Sequence, residues 1–524
     1  MANNPNLKSK KTISFEESLW ASANKQRGSL EPSEYKHIVL SLIFLKFINS
    51  QFENHRQILL DGGNEQSIEV ETLYTQNNIV YLPEAARWQN IIKYSEQNDI
   101  TLIIDTALQT IEKNHISLVG ALTDKAFSSL GLESSKLIAL IDLINDVDSL
   151  AKKYYVSEKD LVGLVFEYFL DQFAAIEGKG RDEFYTPKSI VTLLTEMLKP
   201  HRGKIYNPCC GSGNMFVQSM KFIHGHNGTQ QDIAIYGQEY TSNSYKLAKI
   251  NLAIRGINGN LGDVAGDVFL NDQHPDLKAD YIMANPPFNQ KRWRGANELT
   301  DDPRWRGYTL PPTNNANYAW ILHILSKLNE YGTAGLVLPN GSMSTKSSGE
   351  GTIRQEIINN DHIDCMIALP GQFFYTTQIP ACLWFLTKNK EQDNTLGYRD
   401  RKGETLFIDA RNMGSMINRI HREFTEDDVA KISGTYHAWR SEAKNSDYED
   451  VPGYSKAASL EEIKANDYVL TPGRYVGSAE VEDDGVPFEE KMQGFSKTFF
   501  RQMKEAEVLN QLIRQNLGVL GYGE

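Results

Sequence analysis

The stretch that decides the fold is GKIYNPCCGSGN, at residues 203–214. It joins a short apolar run at 204–207 to a glycine turn, and a helical segment follows. Glycines after the first strand of an α/β sheet let the backbone approach a ligand closely, at the strand ends where such folds bind small molecules. A tight strand-to-helix turn without a ligand explains the glycines about equally well. The candidate ligand-binding residues here are Asn207, Pro208, Gly211, Ser212 and Gly213.

Apolar runs and helical segments alternate along the middle of the chain. The runs lie at 204–207, 233–237, 281–284, 334–338, 363–369 and 381–386. Thr186 and Pro187 are typical of a helix N-cap and first turn, and they predict a helix through Leu198. Further helices are predicted at 242–255 and 317–330. Alternating strands and helices predict an α/β fold with a mostly parallel, Rossmann-like, doubly wound sheet.

The regions on either side of this pattern differ from it. Before it, helical spacing recurs without sustained strand alternation, which predicts a mainly helical N-terminal domain at 1–155. A catalytic domain is predicted at 156–478. Residues 479–524 begin with an acidic linker, AEVEDDGV, and end in a helical tail. That tail is expected either to join a coiled-coil contact or to pack on its own domain.

Composition excludes several classes of protein. The 524 residues carry a formal net charge of −13, which argues against a protein that coats nucleic acid through a broad basic field, but not against an enzyme with a local basic cleft. Four cysteines are too few for a disulfide scaffold. The most apolar run, 38–45, is far shorter than the roughly 20 residues of a membrane span, and the N-terminus lacks a signal peptide. We expect a cytoplasmic protein without a membrane contact.

Two acidic residues follow later strands, at sequence separations close to those of nucleotide-binding folds. Glu239 ends the run IAIYGQE, 26 residues after Gly213, where an acidic side chain holds ribose hydroxyls in nucleotide-binding folds. Asp267, preceded by Gly266, lies 28 residues further on and is placed to accept a hydrogen bond from an adenine amino group. Asp263 is a rival for that role, and a turn or strand end without a ligand remains an alternative for each.

The tetrapeptide Asn285-Pro286-Pro287-Phe288 carries most of the chemical information. An amino group on a planar ring is a poor nucleophile because its lone pair is delocalised. Two acceptors aimed at its hydrogens, the Asn285 side-chain oxygen and the Pro286 carbonyl, favour the rehybridisation that attack on a methyl sulfonium requires. The prolines hold these acceptors still, and Phe288 offers a face for stacking. The alternative is an Asn-Pro turn with a packed phenylalanine.

Two further segments are less specific. Glu183, Phe184, Tyr185, Thr186 and Pro187 precede the glycine turn, and their aromatic pair and helix start could cover a cofactor. After the tetrapeptide, basic residues alternate with tryptophans, as in segments that contact phosphates. A solvated insertion is about equally consistent. The candidate DNA-binding residues are Arg292, Arg294, Arg304 and Arg306.

These motifs resemble those of γ-type DNA adenine methyltransferases, in the order EFYTP, NPCCGSG, GQE, GD and NPPF. The chain resembles still more closely the modification (M) subunits of type I restriction–modification systems. That likeness extends to LSLIFLKFI at 40–48, to 163–168, to ALPGQFFYTTQIPACLWFL at 368–386 and to the ending at 516–522. Two departures are Asn207, where the family often has Asp, and Asn214-Met215, where it has Gly and an apolar residue.

The resemblance implies a function and a set of partners. The glycine turn, Glu239 and Asp267 would bind S-adenosylmethionine, and residues 285–288 would hold a flipped adenine of double-stranded DNA, without a metal. Two M subunits would join one specificity (S) subunit, which chooses the sequence, and restriction (R) subunits would add cleavage. A methyltransferase for cytosine or a glutamine amide is the first alternative, since the tetrapeptide suits any planar amine. A fold kept only as a scaffold is the second.

Overall fold

The computed structural model describes residues 15–147, 165–173, 186–478 and 488–519, with short gaps. The gaps are at 29, 64, 78, 98, 123–126, 130, 171, 375–378, 396, 419–420 and 442–447. The described residues up to Gly477 form one compact unit, and those from Ser478 onward form a second. The domain boundaries expected near residues 155 and 479 lie outside the described residues, so they remain predictions.

The N-terminal part of the first unit is helical, as the sequence predicts. It buries a core of its own, which also includes Leu247, Ile250 and Ile254 from a helix beside the sheet. The two parts are therefore packed together through that helix. The N-terminal helices are α1 (Phe15–Lys25), α2 (Pro32–Asp61), α3 (Glu71–Thr75), α4 (Trp88–Lys93), α5 (Ile100–Asn114) and α6 (Ser134–Asn145).

The sheet contains the strands that the apolar runs predict. Its strands are β1 (Gly203–Asn207), β2 (Ile233–Gly237), β3 (Gly259–Asn260), β4 (Ala279–Ala284), β5 (Leu328–Pro339), β6 (Ile363–Ala368), β7 (Ala381–Thr387), β8 (Glu404–Asp409) and β11 (Ser455–Ser459). A separate pair is formed by β9 (Ser415–Met416) and β10 (Arg422–Glu423). Across the described residues, the order in the large sheet is β3-β2-β1-β4-β5-β7-β6-β8-β11.

Helices cover both faces of this sheet, which confirms the doubly wound α/β prediction. Neighbouring residues of one strand enter different cores: Ile205 of β1 packs into one, and Tyr206 packs into the other. The helices of this part are α7 (Lys188–Leu198), α8 (Asn214–Gly225), α9 (Ser242–Ile254), α10 (Asn317–Lys327), α11 (Glu350–Asn359), α12 (Glu426–Arg440) and α13 (Leu460–Ala465).

Three details differ from the sequence-based expectation. The sheet is mixed rather than simply parallel at one side, because β7 runs antiparallel between β5 and β6, and β11 is antiparallel to β8. The helix expected to reach 330 ends at Lys327, since Leu328 already pairs with β4 as the start of β5. Pro187, not Thr186, occupies the N-cap of α7 and supplies no side-chain cap.

The second unit contains α14 (Phe488–Val519), a single long helix. Its large apolar side chains are exposed, Phe495 to 68%. Met492, Phe495, Phe499, Met503, Ile513 and Leu517 recur at helical spacing and form one stripe. No helix within the described ranges has the length and apolar character needed to cross a bilayer.

A buried carboxylate stabilises the side of the sheet that carries β6. Asp364 is fully buried, accepts a hydrogen bond of 2.6 Å from the Tyr436 hydroxyl, and lies 3.4 Å from Arg401 Nε and 3.7 Å from Arg440 Nε. Burial alone raises the pKa of such a group, but the cations Arg401 and Arg440 outweigh it and lower the Asp364 pKa. Asp364 is therefore ionised at neutral pH.

Asp364→Asn is expected to lower the free energy of unfolding by about 3–5 kcal/mol, because two buried guanidiniums lose their counter-charge. Denaturant unfolding followed by circular dichroism measures this change. Glu391→Gln is the control: Glu391 pairs with Lys402 at 2.7 Å, but both side chains are exposed and screened by solvent, so a much smaller loss of unfolding free energy is expected. Equal losses in the two variants would contradict the role given to the buried pair.

Candidate active site

The glycine turn after β1 is fixed by backbone and side-chain hydrogen bonds. The Cys209 amide donates to Asn207 Oδ1 at 3.0 Å, and the Cys210 amide donates to the Gln238 carbonyl at 3.0 Å. Gly211 and Gly213 have φ of +55° and +80°, in the left-handed region that favours glycine. The predicted strand–turn–helix unit is present, and the two glycines are required by its backbone.

The three residues that depart from the family pattern take part in hydrogen bonds inside this turn. Asn207 Nδ2 donates to the sulfur of Met215 at 3.3 Å, so its amide is held at both ends. Asn251 Nδ2 donates to Asn214 Oδ1 at 3.0 Å and to the Ser212 carbonyl at 2.7 Å. Asn214 and Met215 therefore brace the turn rather than disturb it.

Glu239 lies at the end of β2, directly beside the turn. Its Oε2 accepts from the Gly211 amide at 2.8 Å, and its Oε1 accepts from the Thr241 amide at 3.0 Å. The Thr241 hydroxyl also donates to Oε1, at 3.3 Å, so the protein holds this carboxylate through both of its oxygens. The backbone amides fix its orientation before any ligand arrives.

Asp267 is placed next to Glu239 by the backbone. The Gly266 amide donates to the Glu239 carbonyl at 2.9 Å, and the Phe269 amide donates to Asp267 Oδ1 at 2.8 Å. Burial raises the pKa of Asp267, and the hydrogen bond from the Phe269 amide opposes this shift only in part. The rival Asp263 is exposed, whereas Asp267 is partly buried.

Large apolar side chains around the two acids are exposed. Tyr240 follows Glu239 in the chain, and Val264 and Leu270 flank Asp267; all three are more than half exposed. Exposed groups of this kind beside polar acceptors suit the faces of a planar ring. Sequence reasoning missed them because single apolar residues in loops carry no periodic signal.

Asn285 emerges from β4 into the same cleft as the glycine turn. Its side chain is buried, with 8% of the residue exposed. Nδ2 donates to Thr186 Oγ1 at 2.8 Å, and within the described part of the chain Oδ1 has no hydrogen-bond partner. The residues lining the cleft are Thr186, Val191, Asn207, Cys209, Cys210, Gly211, Ser212, Asn214, Met215 and Asn285.

Pro286, Pro287 and Phe288 continue from this point. Phe288 is nearly buried, and its ring lies edge-to-face with Phe374, with centroids 5.7 Å apart at 71°. Phe374 was not singled out as a site residue by the sequence, although it lies in the LPGQFF segment that carries the family likeness. Strand β10 is hydrogen-bonded to the same segment, since the Arg422 amide donates to the Gln372 carbonyl at 2.9 Å.

The segment before the turn is only partly described. Glu183, Phe184 and Tyr185 lie outside the described residues, so their expected role as a cofactor cover remains a prediction. Thr186 is present in the cleft, where its hydroxyl accepts from Asn285 instead of capping α7.

The four arginines proposed for DNA differ in what they contact. Arg292 and Arg306 are exposed. Arg294 is buried, and its guanidinium donates to the Pro311 carbonyl at 2.9 Å and to the carbonyls of Gly295, Ala296 and Glu298. Arg304 is likewise engaged, with Asp302 and two carbonyls. Arg294 and Arg304 therefore hold the loop together, which favours the exposed Arg292 and Arg306 over them as the predicted DNA contacts.

The interleaved tryptophans are also structural. Trp293 and Trp305 are buried with their rings edge-to-face at 5.7 Å, and their indole nitrogens donate to the carbonyls of Pro312 and Leu299, each at 2.7 Å. Both rings therefore pack inside this segment, and contact of the segment with DNA stays a prediction for its exposed basic residues. Sequence alone does not distinguish an aromatic ring that packs inside a loop from one that is presented to a ligand.

The chain is similar to known proteins over most of its length. The model of the N-6 DNA methylase family matches residues 157–484, and that of the HsdM N-terminal domain matches 15–147. The type I restriction enzyme HindI methylase subunit of Haemophilus influenzae is 46% identical, covering 84% of this chain and all of that protein. The MjaIX methylase subunit of Methanocaldococcus jannaschii is 35% identical, covering 98% of this chain and 92% of that protein.

A solved structure shares the fold. The type I restriction-modification system methyltransferase subunit from Streptococcus thermophilus superimposes with a TM-score of 0.71 at 22% identity, covering 88% of this chain and 99% of that one. The chain therefore belongs to the N-6 DNA methylase family, among the methylase subunits of type I restriction enzymes, and is a DNA adenine methyltransferase.

Proposed function

We propose that this chain transfers a methyl group from S-adenosylmethionine to the exocyclic amino group of a flipped adenine in double-stranded DNA. The observation that carries the proposal is the Asn285 side chain. Its Oδ1 is a buried acceptor without a partner among the described residues, and it lines the cleft of the glycine turn. A buried acceptor left unpaired costs about 1–3 kcal/mol, a cost that a substrate donor would remove.

The residues at the cleft suit S-adenosylmethionine. Glu239 is oriented by backbone amides at the end of β2, where an acidic side chain holds ribose hydroxyls in nucleotide-binding folds, and Asp267 lies beside it as an acceptor for the adenine amino group. Tyr240 and Leu270 offer exposed apolar faces for the ring. The turn from Asn207 to Gly213 brings its backbone to the methionine end. When bound, this cofactor supplies an electrophilic methyl group on sulfur.

The chain's own residues prepare the amino group. Asn285 Oδ1 and the Pro286 carbonyl would each accept a hydrogen bond from this amino group. The two bonds favour a pyramidal nitrogen, whose lone pair is no longer delocalised into the ring. Pro286 and Pro287 restrict the backbone, so these acceptors need little rearrangement. The nitrogen would form a bond to the methyl carbon while the carbon–sulfur bond breaks and its electron pair stays on sulfur, and one proton would then pass from the nitrogen to solvent water. Burial, followed by the Glu239 charge, raises the pKa of both Cys209 and Cys210, so neither is suited to act as a nucleophile.

The base must leave the duplex to reach this cleft. Phe288 and Phe374 meet edge-to-face at the tetrapeptide and would bound the pocket of a planar ring on two sides. The exposed Arg292 and Arg306 follow in the same segment and are the candidates that remain for contact with phosphates.

The other subunits of a restriction–modification complex are the proposed protein partners. A net charge of −13 gives this chain a poor electrostatic hold on DNA by itself. The exposed stripe of α14 suits a helical partner, and we assign it to the S subunit, with two M chains for each S subunit and R subunits joining the full complex. The S subunit would then choose the DNA sequence.

Asn285→Ala is expected to bind S-adenosylmethionine with unchanged affinity and to lose methyl transfer by about 100-fold or more, because one acceptor at the reacting nitrogen is gone. Calorimetry measures the affinity, and mass spectrometry of digested DNA measures N6-methyladenine. Asn314→Ala, at an exposed asparagine of a nearby loop, is the control with the parent rate. Transfer by Asn285→Ala near the parent rate, or methylcytosine as the product, would refute the proposal.

Methylation is expected to be weak with this chain alone and to rise by at least tenfold when the cognate S subunit is added, since DNA binding is shared. Phe499→Asp, on the α14 stripe, should abolish co-purification with the S subunit because it places a charge on an apolar contact. Lys497→Asp, an exposed position on another side of that helix, should preserve it. Full activity without the S subunit, or equal effects of the two variants, would contradict this partnership.

A further inference from the structure

Arg304 connects the segment that follows the catalytic tetrapeptide to the turn that carries Asp267. Its Nη1 donates to the Val268 carbonyl at 2.9 Å, and its Nη2 donates to the Phe269 carbonyl at 2.6 Å. The Asp302 carboxylate holds the other side of the guanidinium, at 2.8 Å from Nε and 2.7 Å from Nη2. All three nitrogens of this guanidinium therefore donate to groups of the protein itself.

Burial supports this arrangement. The side chains of Arg304 and Asp302 are only 10% and 12% exposed, whereas Arg306, two residues later, is exposed. The planar guanidinium can bind a carboxylate and two carbonyls together, which an ammonium cannot reproduce with the same geometry. A buried ion pair with such bonds is costly to open for an external phosphate.

Aromatic rings hold the same turn from another side. The Phe269 ring lies 4.6 Å from Trp293 and 4.6 Å from Trp320, measured between centroids, and the Arg304 guanidinium lies 5.7 Å from it. Residues 268 and 269 are thus fixed through their carbonyls and through a side chain. The backbone amide of Phe269 donates to Asp267 Oδ1 at 2.8 Å, so the position of this turn sets the position of the carboxylate.

We propose that Arg304 is a positioning residue for cofactor recognition: its guanidinium fixes the turn at 268–269, whose amide in turn aims the Asp267 carboxylate at the adenine amino group of the cofactor. The inference rests on the proposed function, because it takes Asp267 to be the acceptor for that group. It assigns to Arg304 a role on the cofactor side, although the residue follows the target-base tetrapeptide in the chain.

The test compares two ligands that differ at the exocyclic group that Asp267 would bind and in the protonation of the neighbouring ring nitrogen. S-adenosylhomocysteine carries the amino group, and S-inosylhomocysteine carries a carbonyl there. The dissociation constants of both are measured by calorimetry on the full chain. The unmodified protein is expected to prefer the adenosine ligand by about tenfold or more, as for a hydrogen bond to a charged acceptor, and Asp267→Ala should remove the preference.

Arg304→Gln is expected to reduce the preference to that of Asp267→Ala, whereas Arg202→Gln, at an exposed arginine that does not line the cleft, should retain it. Asp302→Asn releases the guanidinium without removing it and should reduce the preference partly, so it decides the question if Arg304→Gln does not fold. The ratio of the two affinities is the readout, because general loosening of the fold weakens both ligands alike.

Three results would overturn the inference. An unchanged ratio in Arg304→Gln and Asp302→Asn would exclude a positioning role, and an accompanying loss of DNA affinity would make Arg304 a DNA contact. Equal weakening of both ligands, with the ratio preserved, would make it a purely structural residue. If the unmodified chain bound neither ligand, the proposed function itself would be wrong, and this inference would fall with it.

Discussion

The pairing of β1 with β4 as neighbouring parallel strands is the constraint on which the site depends. Ile205 pairs with Tyr281 and Tyr206 with Ile282, so both strands end at one edge of the sheet. The glycine turn follows the first, and Asn285 follows the second. Two motifs that are distant in the sequence thereby line one cleft without any need for loop rearrangement. Since β2 pairs with β1 in register on the other side, Glu239 arrives at the same edge.

This edge combines rigid backbone with a few polar groups whose bonding is incomplete. Most polar atoms of the turn are satisfied within the protein, including both ends of the Asn207 amide. Asn285 is the exception, because its Nδ2 is held by Thr186 while Oδ1 has no partner among the described residues. A fixed and buried acceptor interacts more strongly with a substrate donor than an exposed acceptor from which bound water must first be displaced.

Much of this architecture could be predicted because it is local. Strands such as 233–237 and 281–284 have apolar runs that end at turn residues, and the chemistry of the tetrapeptide is contained in four neighbouring residues. The direction of β7 was not predictable, since an apolar run has the same pattern whichever way the strand is paired. The partners of Arg294 and Arg304 were not predictable either, because they are mostly backbone carbonyls, which every residue carries. The apposition of Phe374 and Phe288 depends on tertiary packing.

The arginines show why basic residues near a catalytic motif are weak evidence for contact with DNA. A loop that lacks secondary structure has carbonyls without partners, and burying them requires donors from elsewhere. Arg294 supplies such donors within its own loop, and Arg304 supplies them to the neighbouring turn. The positive charges of 291–306 are therefore divided between holding the loop and facing solvent. The segment that begins at residues 285–288 consequently also shapes the turn beside Glu239 and Asp267, so the proposed pockets for the base and the cofactor would share one set of structural supports.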